Sequence, residues 1–181
     1  MANKVDELLI RYEMVVKEPW TGTLSTSERV MFLVYDPTEQ RKVDFRLADF
    51  ETATTKAGKK WVLISLKSCF PKWMSNHEYR EEYFKDPEAL VDQLEEDFKG
   101  YAIIFLNNAI KQTNADNKTL VAIKDVSALF GFTRLSDILN AVTNEFKGRL
   151  LIFFPGEFDK NHYRLLDARD GWSYLARPIT V

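Results

Sequence analysis

A chain of 181 residues with 45% hydrophobic and 13% aromatic content is long enough to bury one sizeable core, so a single domain spanning 1–181 is expected. A formal net charge of -2, with 25 Lys and Arg set among 27 Asp and Glu, leaves no basic stripe to neutralise a phosphate backbone, and direct nucleic-acid binding is not expected. Cys69 is the only cysteine, which excludes an internal disulfide; the acidic start MANKVDELL lacks the order of a signal peptide, no apolar run is long enough for a membrane span, and the expected location is the cytoplasm.

Val5, Leu8, Leu9, Tyr12, Val15 and Val16 recur at helical spacing, which predicts an amphipathic helix over 4–18 ended by Pro19. Residues 19–28 have loop composition. RVMFLVYDP then gives an unbroken apolar run stopped at Asp36 and Pro37, the pattern of a strand covered on both faces. Phe45, Leu47, Ala48 and Phe50 lie in a polar-rich stretch, 38–57, that reads as helix and closes at Gly58. KKWVLISLK (59–67) is the second strand, and short helical pieces follow around 70–74 and 78–84.

Asp86-Pro87 opens the longest helix, with Asp as N-cap and Pro at the first helical position. Leu90, Leu94, Phe98, Tyr101 and Phe105 mark its buried face. Ile103 and Ile104 fall outside that stripe and widen it, through deep burial or as a docking surface. TLVAIKD (119–125) is the third strand, SALFGF a turn, 136–146 a helix stopped at Gly148, and RLLIFFPG the fourth strand. HYRLLDA (162–168) and YLARPITV (174–181) are candidate fifth and sixth strands. Strands alternating with helices predict an α/β three-layer fold with a mainly parallel central sheet.

An open parallel sheet places its crevice at the carboxyl ends of the strands, which singles out Asp36-Pro37, Lys67-Ser68, Lys124-Asp125 and Pro155-Gly156-Glu157. The seven glycines satisfy neither G-x-x-x-x-G-K-[ST] nor G-x-G-x-x-G, so the scaffold is P-loop/Rossmann-like without a phosphate-binding loop. Asp36 and Asp125 would hold magnesium only beside a gripped phosphate; the simpler reading is that each carboxylate caps the next helix or accepts turn N–H groups. Cys69, with no nearby histidine and no sign of a helix N-terminus to lower its pKa, reads as a small buried hydrophobe. With His77 and His162 it falls short of a zinc set, and G-x-S-x-G is absent.

The segment FFPGEFDKNHYRLLDARDGWSYL sets Glu157, Asp159, Asp167 and Asp170 among Lys160, Arg164, Arg169 and His162. Those carboxylates would suit a divalent cation in a nuclease or phosphatase. From 157 to 177, however, four acids meet four bases, and mutual ion pairing satisfies them without metal. Phe158, Tyr163, Trp172 and Tyr174 interleave with arginines, the composition of a protein interface. The expected partner-facing residues are therefore Phe158, His162, Tyr163, Arg164, Arg169, Trp172 and Tyr174, together with Ile103 and Ile104. No catalytic residue, metal or cofactor is expected.

The order RVMFLVYDP, WVLISL, HEYREEYF, SALFGFTRLSDILNAV and GRLLIFFPGEFDKNHYRLLDARDGWSYLARPI resembles the BrxB family, small components of the bacteriophage-exclusion (BREX) defence systems of bacteria. The likeness runs end to end, and its last two motifs are the specific ones. It implies a cytoplasmic protein needed for phage restriction, working beside the PglZ phosphatase-superfamily protein, the PglX DNA methyltransferase and the BrxC ATPase, and it transfers no catalytic residue set. Together with the missing phosphate loop and catalytic set, this leads to the reading of a non-catalytic adaptor that supports phage restriction and host DNA methylation, with PglZ as its hypothesised direct partner. The alternatives are a degenerate nucleotide-binding regulator using Asp36 and Asp125, and a metal-dependent nuclease or phosphatase.

Overall fold

Alternate residues of the central strands part to opposite faces, and each face is claimed by its own set of helices. The computed structural model describes residues 3–166, 168 and 172–181, the side chain of Trp172 excepted. Its strands are β1 (Val30–Tyr35), β2 (Lys60–Ser65), β3 (Thr119–Lys124), β4 (Arg149–Asp159), β5 (His162–Leu165), β6 (Trp172–Ser173) and β7 (Arg177–Ile179). The main path runs β2-β3-β4-β1-β7, every neighbouring pair parallel. β5 and β6 stand off it, antiparallel to β4 and to β5.

Met31, Leu33 and Tyr35 of β1, Leu120 and Ala122 of β3, and Leu151 and Phe153 of β4 face α1 (Lys4–Val16), α2 (Gln40–Phe45) and α3 (Leu47–Lys56). Val30, Phe32 and Val34, Val121 and Ile123, and Leu150, Ile152 and Phe154 face the other way. That second layer is α4 (Cys69–Ser75), α5 (Arg80–Lys85), α6 (Val91–Gln93), α7 (Lys99–Gln112) and α8 (Leu135–Glu145). The fold is thus the three-layer α/β arrangement that unbroken apolar strands dictate. β2 lies at the edge, with Leu63 exposed.

Local chemistry explains where the elements begin and end. The Asn3 side chain accepts the Val5 N–H at 3.3 Å, and Asp6 and Glu7 occupy the positive first turn of α1. Inside the first layer the Thr54 hydroxyl donates to the Phe50 carbonyl at 2.8 Å, which leaves the Tyr12 hydroxyl as donor to Thr54 at 2.5 Å. Burial pushes the Tyr12 phenol well above its ordinary pKa.

The long helical run differs from expectation in two ways. Asp86 makes no capping bond, and Pro87–Leu90 form a 3₁₀ turn. Leu94–Phe98 then form a π-helical turn between α6 and α7. A π turn advances less per residue than an α turn, so the stripe beyond it falls one residue late. Ala102, Leu106 and Ile110 are buried there, while Tyr101 and Phe105 are only partly covered.

Asp116, in the loop before β3, gathers the Lys60 ammonium at 2.5 Å, the Thr119 hydroxyl at 2.9 Å and the Lys118 N–H at 2.9 Å. These partners, Lys60 foremost, hold its carboxyl down to about 2. A folded-state pKa below the unfolded value stabilises the fold above the unfolded pKa of about 4 and loses that contribution as pH falls through the folded one. Urea midpoints measured against pH are therefore expected to drop between about pH 4 and pH 2, and Asp116→Asn to flatten that drop.

Candidate functional site

β4 outruns its parallel neighbours. Its pairing with β1 ends at Pro155, and the next four residues, Gly156–Asp159, pair instead with Leu165–His162 of β5. The join is a two-residue turn in which Lys160 and Asn161 both take positive φ, 47° and 68°, the geometry that matches the twist of a tight hairpin. β5 ends at Leu165 because Leu166 turns to a φ of 51°, its N–H bonding the Pro155 carbonyl at 2.9 Å. The expected fifth strand is thereby shortened, and a hairpin stands at the carboxyl mouth of the sheet.

Period-two alternation sorts the hairpin side chains. Tyr163 and Leu165 turn inward and are buried, while His162 and Arg164 are exposed. Tyr163 is therefore corrected from a partner-facing to a core residue. Its ring lies 4.4 Å from that of Phe32, and its hydroxyl donates to the Ala176 carbonyl at 2.9 Å. Phe158 is half-buried against Tyr163, ring centroids 4.7 Å apart, and Arg164 pairs with Glu157 across the hairpin at 3.2 Å. Tyr174 is half-buried, whereas Leu175, which composition alone did not single out, is 81% exposed.

Phe158, Tyr174, Leu175, Ala176 and Pro178 line a groove of about 810 Å³ beside the hairpin. On α7, Ile104 is 60% exposed and Ile103 is half-buried against the core. Arg169, Asp167 and Asp170 lie outside the described residues, as does the side chain of Trp172.

The carboxylates at the mouth are engaged in structure. Asp36 accepts the Thr38 N–H at 2.9 Å and the Thr38 hydroxyl at 2.6 Å, capping the turn that follows β1, and these bonds hold its carboxyl below the usual range. Asp125 makes no such cap, contrary to expectation. It adopts a φ of 60°, accepts the Ser65 hydroxyl from β2 at 2.5 Å and sits 3.7 Å from the Lys124 ammonium. A cleft of about 500 Å³ lies between α1 and the root of the hairpin, and Asp36, Glu39, Glu157 and Asp159 face Lys4 across it. Glu39 and Glu157 are paired with Lys42 and Arg164, and the remaining Asp36 and Asp159 still outweigh Lys4 in the cleft, which disfavours a phosphate. Among the described residues, no three of His, Cys, Asp and Glu come together as a metal-ligating group.

Cys69 corrects one expectation and keeps another. It does open a helix, α4, yet it is fully buried, and that burial pushes its thiol up to about 11, the opposite of an activated thiolate. His77 packs with its ring 5.0 Å from both Trp73 and Tyr83, and Asp97 is 3.7 Å away. His162 reaches the Lys160 carbonyl within the hairpin turn at 3.0 Å. None of the described helices is long and apolar enough to cross a membrane.

Comparison with protein-family models matches residues 64–177 to the family described as BREX protein BrxB. No curated protein and no solved structure matches the chain. The matched span runs from the end of β2 to the first residue of β7 and so contains the whole hairpin.

Proposed function

The chain belongs to the BrxB family and is a component of a BREX defence system, and from that premise we propose that it acts as a non-catalytic adaptor docking onto the PglZ phosphatase-superfamily protein. Through PglZ it joins the PglX methyltransferase and the BrxC ATPase, and so supports phage restriction and host DNA methylation. The observation that carries this reading is the hairpin groove. Leu175 projects 81% exposed beside partly covered Phe158 and Tyr174, with Arg164 and His162 on the outer face of β5. An apolar anchor near exposed Arg and His has the make-up of a docking site, because burying Leu on a partner is favourable and the polar rim fixes orientation. The nucleotide-regulator and metal-enzyme readings draw less support, since Asp36, Asp125 and Glu157 are each held by structural partners.

Co-expression with PglZ tests the proposal by size exclusion. The wild-type chain is expected to co-elute with PglZ, and Leu175→Asp to weaken the complex about tenfold or more while its own melting temperature stays unchanged. Arg164→Glu, which also sets two acids opposite each other, is expected to weaken it less. Separate elution of the two wild-type proteins at micromolar concentration would overturn the docking.

A further inference from the structure

The end of the sheet opposite the mouth carries the reverse charge. Arg29 directly precedes β1, Lys59 precedes β2, and Lys147 and Arg149 flank Gly148 at the start of β4. Trp20, Ser25, Thr26, Arg29, Lys147 and Arg149 line a pocket of about 530 Å³ there, and no acidic residue is among its lining. The Lys59 ammonium and the Arg149 guanidinium lie 4.7 and 5.3 Å from the centre of the Trp20 ring. Gly148 is set so tightly that a Cβ would sit 2.7 Å from the Asp116 carbonyl oxygen, and the exposed Lys147 ammonium beside it donates to the Asn144 carbonyl at 3.0 Å.

Arg149 is the telling residue. It is 7% exposed, and its guanidinium reaches the Glu28 carbonyl oxygen only at 3.5 Å. The Glu28 carboxylate accepts the Ser25 N–H at 2.7 Å and lies outside ion-pair distance of Arg149, although its charge still acts on that guanidinium. Among the described residues neither Arg149 nor Arg29 is in an ion pair. Arg29 donates instead to the Phe146 and Thr143 carbonyls at the negative end of α8, which orients it and partly offsets its charge. Two guanidiniums held near each other, with Glu28 beyond ion-pair distance as the acid whose charge reaches Arg149, leave a surplus of positive charge that an incoming anion would offset.

We propose that this pocket binds the phosphate oxyanion of a small molecule. The guanidinium fork of Arg149 supplies paired donors matched to phosphate oxygens, Lys147 adds a point charge, and the Ser25 and Thr26 hydroxyls can complete the shell. The site is a recess in a chain of net charge -2, which suits a compact phosphate-bearing molecule rather than an extended polyanion.

Calorimetric titration and thermal melts of the full chain test this with pyrophosphate, a nucleoside diphosphate, a single-stranded oligonucleotide and a poly-glutamate peptide as probes. Pyrophosphate or the nucleoside diphosphate is expected to raise the melting temperature and to bind more weakly as sodium chloride rises. A stronger effect of the nucleoside diphosphate identifies a nucleotide as the source of the phosphate, and equal effects a free phosphate. Arg149→Met and Lys147→Glu are each expected to lower the affinity about tenfold or more. Lys147 is exposed, so its variant keeps the test open even where Arg149→Met folds poorly. Absence of binding by either small phosphate, an affinity unchanged in Lys147→Glu, or tighter binding of the oligonucleotide or the peptide would each overturn the proposal. The outcome is independent of PglZ, which takes no part in the measurement.

Discussion

Gly156→Ala is expected to cost the fold about 3 kcal/mol, at the upper end of overpacking effects, and to abolish the proposed docking onto PglZ. At this position β4 leaves the parallel sheet and pairs with β5, Gly156 opposite Leu165. An added Cβ would collide with the Arg164 carbonyl oxygen and stand 2.9 Å from the Phe154 ring. The first obstacle is backbone in a strand, which cannot swing aside as a long side chain does, so β5 itself must move. Tyr163 and Leu165 are buried only in the present register, and a displaced β5 draws both out of the core. Urea denaturation followed by far-UV circular dichroism measures the loss. Gly22→Ala is the control, since nothing lies within 4 Å of a Cβ there, and its midpoint is expected to shift by no more than about 0.5 kcal/mol equivalent. A Gly156→Ala midpoint as close to wild type as that would sink the assigned hairpin register.

The layers were legible in the sequence and the hairpin was not, for a physical reason. VMFLVY of β1 and LLIFF of β4 are apolar at every position because both faces of a central parallel strand are covered; YAIIFL of α7 is as unbroken, but its length and the capping signals before it place it in a helix. The Lys160-Asn161 turn, by contrast, carries no glycine, although Asn tolerates positive φ and the flanking HYRL alternates out-in-out-in. Read by period rather than by residue type, that alternation would have placed Tyr163 inside. In the long helix the stripe slipped by one residue because a π turn leaves no signature in spacing. The basic pocket lay further out of reach. Trp20, Arg29, Lys147 and Arg149 come from two distant stretches that meet only because β1 lies beside β4, with Val30 level with Leu150, and whole-chain composition averages their charge away.

Phe32→Ala is expected to destabilise the protein by about 3–5 kcal/mol, against a total that for domains of this kind is about 5–15 kcal/mol. Phe32 is fully buried at the middle of β1, level with Ile152 on one side and Pro178 on the other. Its ring meets Phe154 at 5.2 Å, Tyr163 at 4.4 Å and Tyr174 at 5.8 Å. It therefore joins three separate pieces of chain: the parallel sheet, the hairpin, and the strap that leads into β7. Truncation opens a cavity that cannot collapse, because Phe154 is fixed in β4 and Tyr163 is tethered through its hydroxyl to Ala176. Phe45→Ala separates this effect from simple loss of an aromatic ring, since Phe45 is 86% exposed and its removal is expected to cost about 0.5 kcal/mol or less. Phe32→Leu, which refills most of the volume, is expected to recover all but about 1.5 kcal/mol. If urea midpoints place Phe32→Ala beside Phe45→Ala, the hairpin does not rest on β1, and the groove at Leu175 loses the support that holds it open.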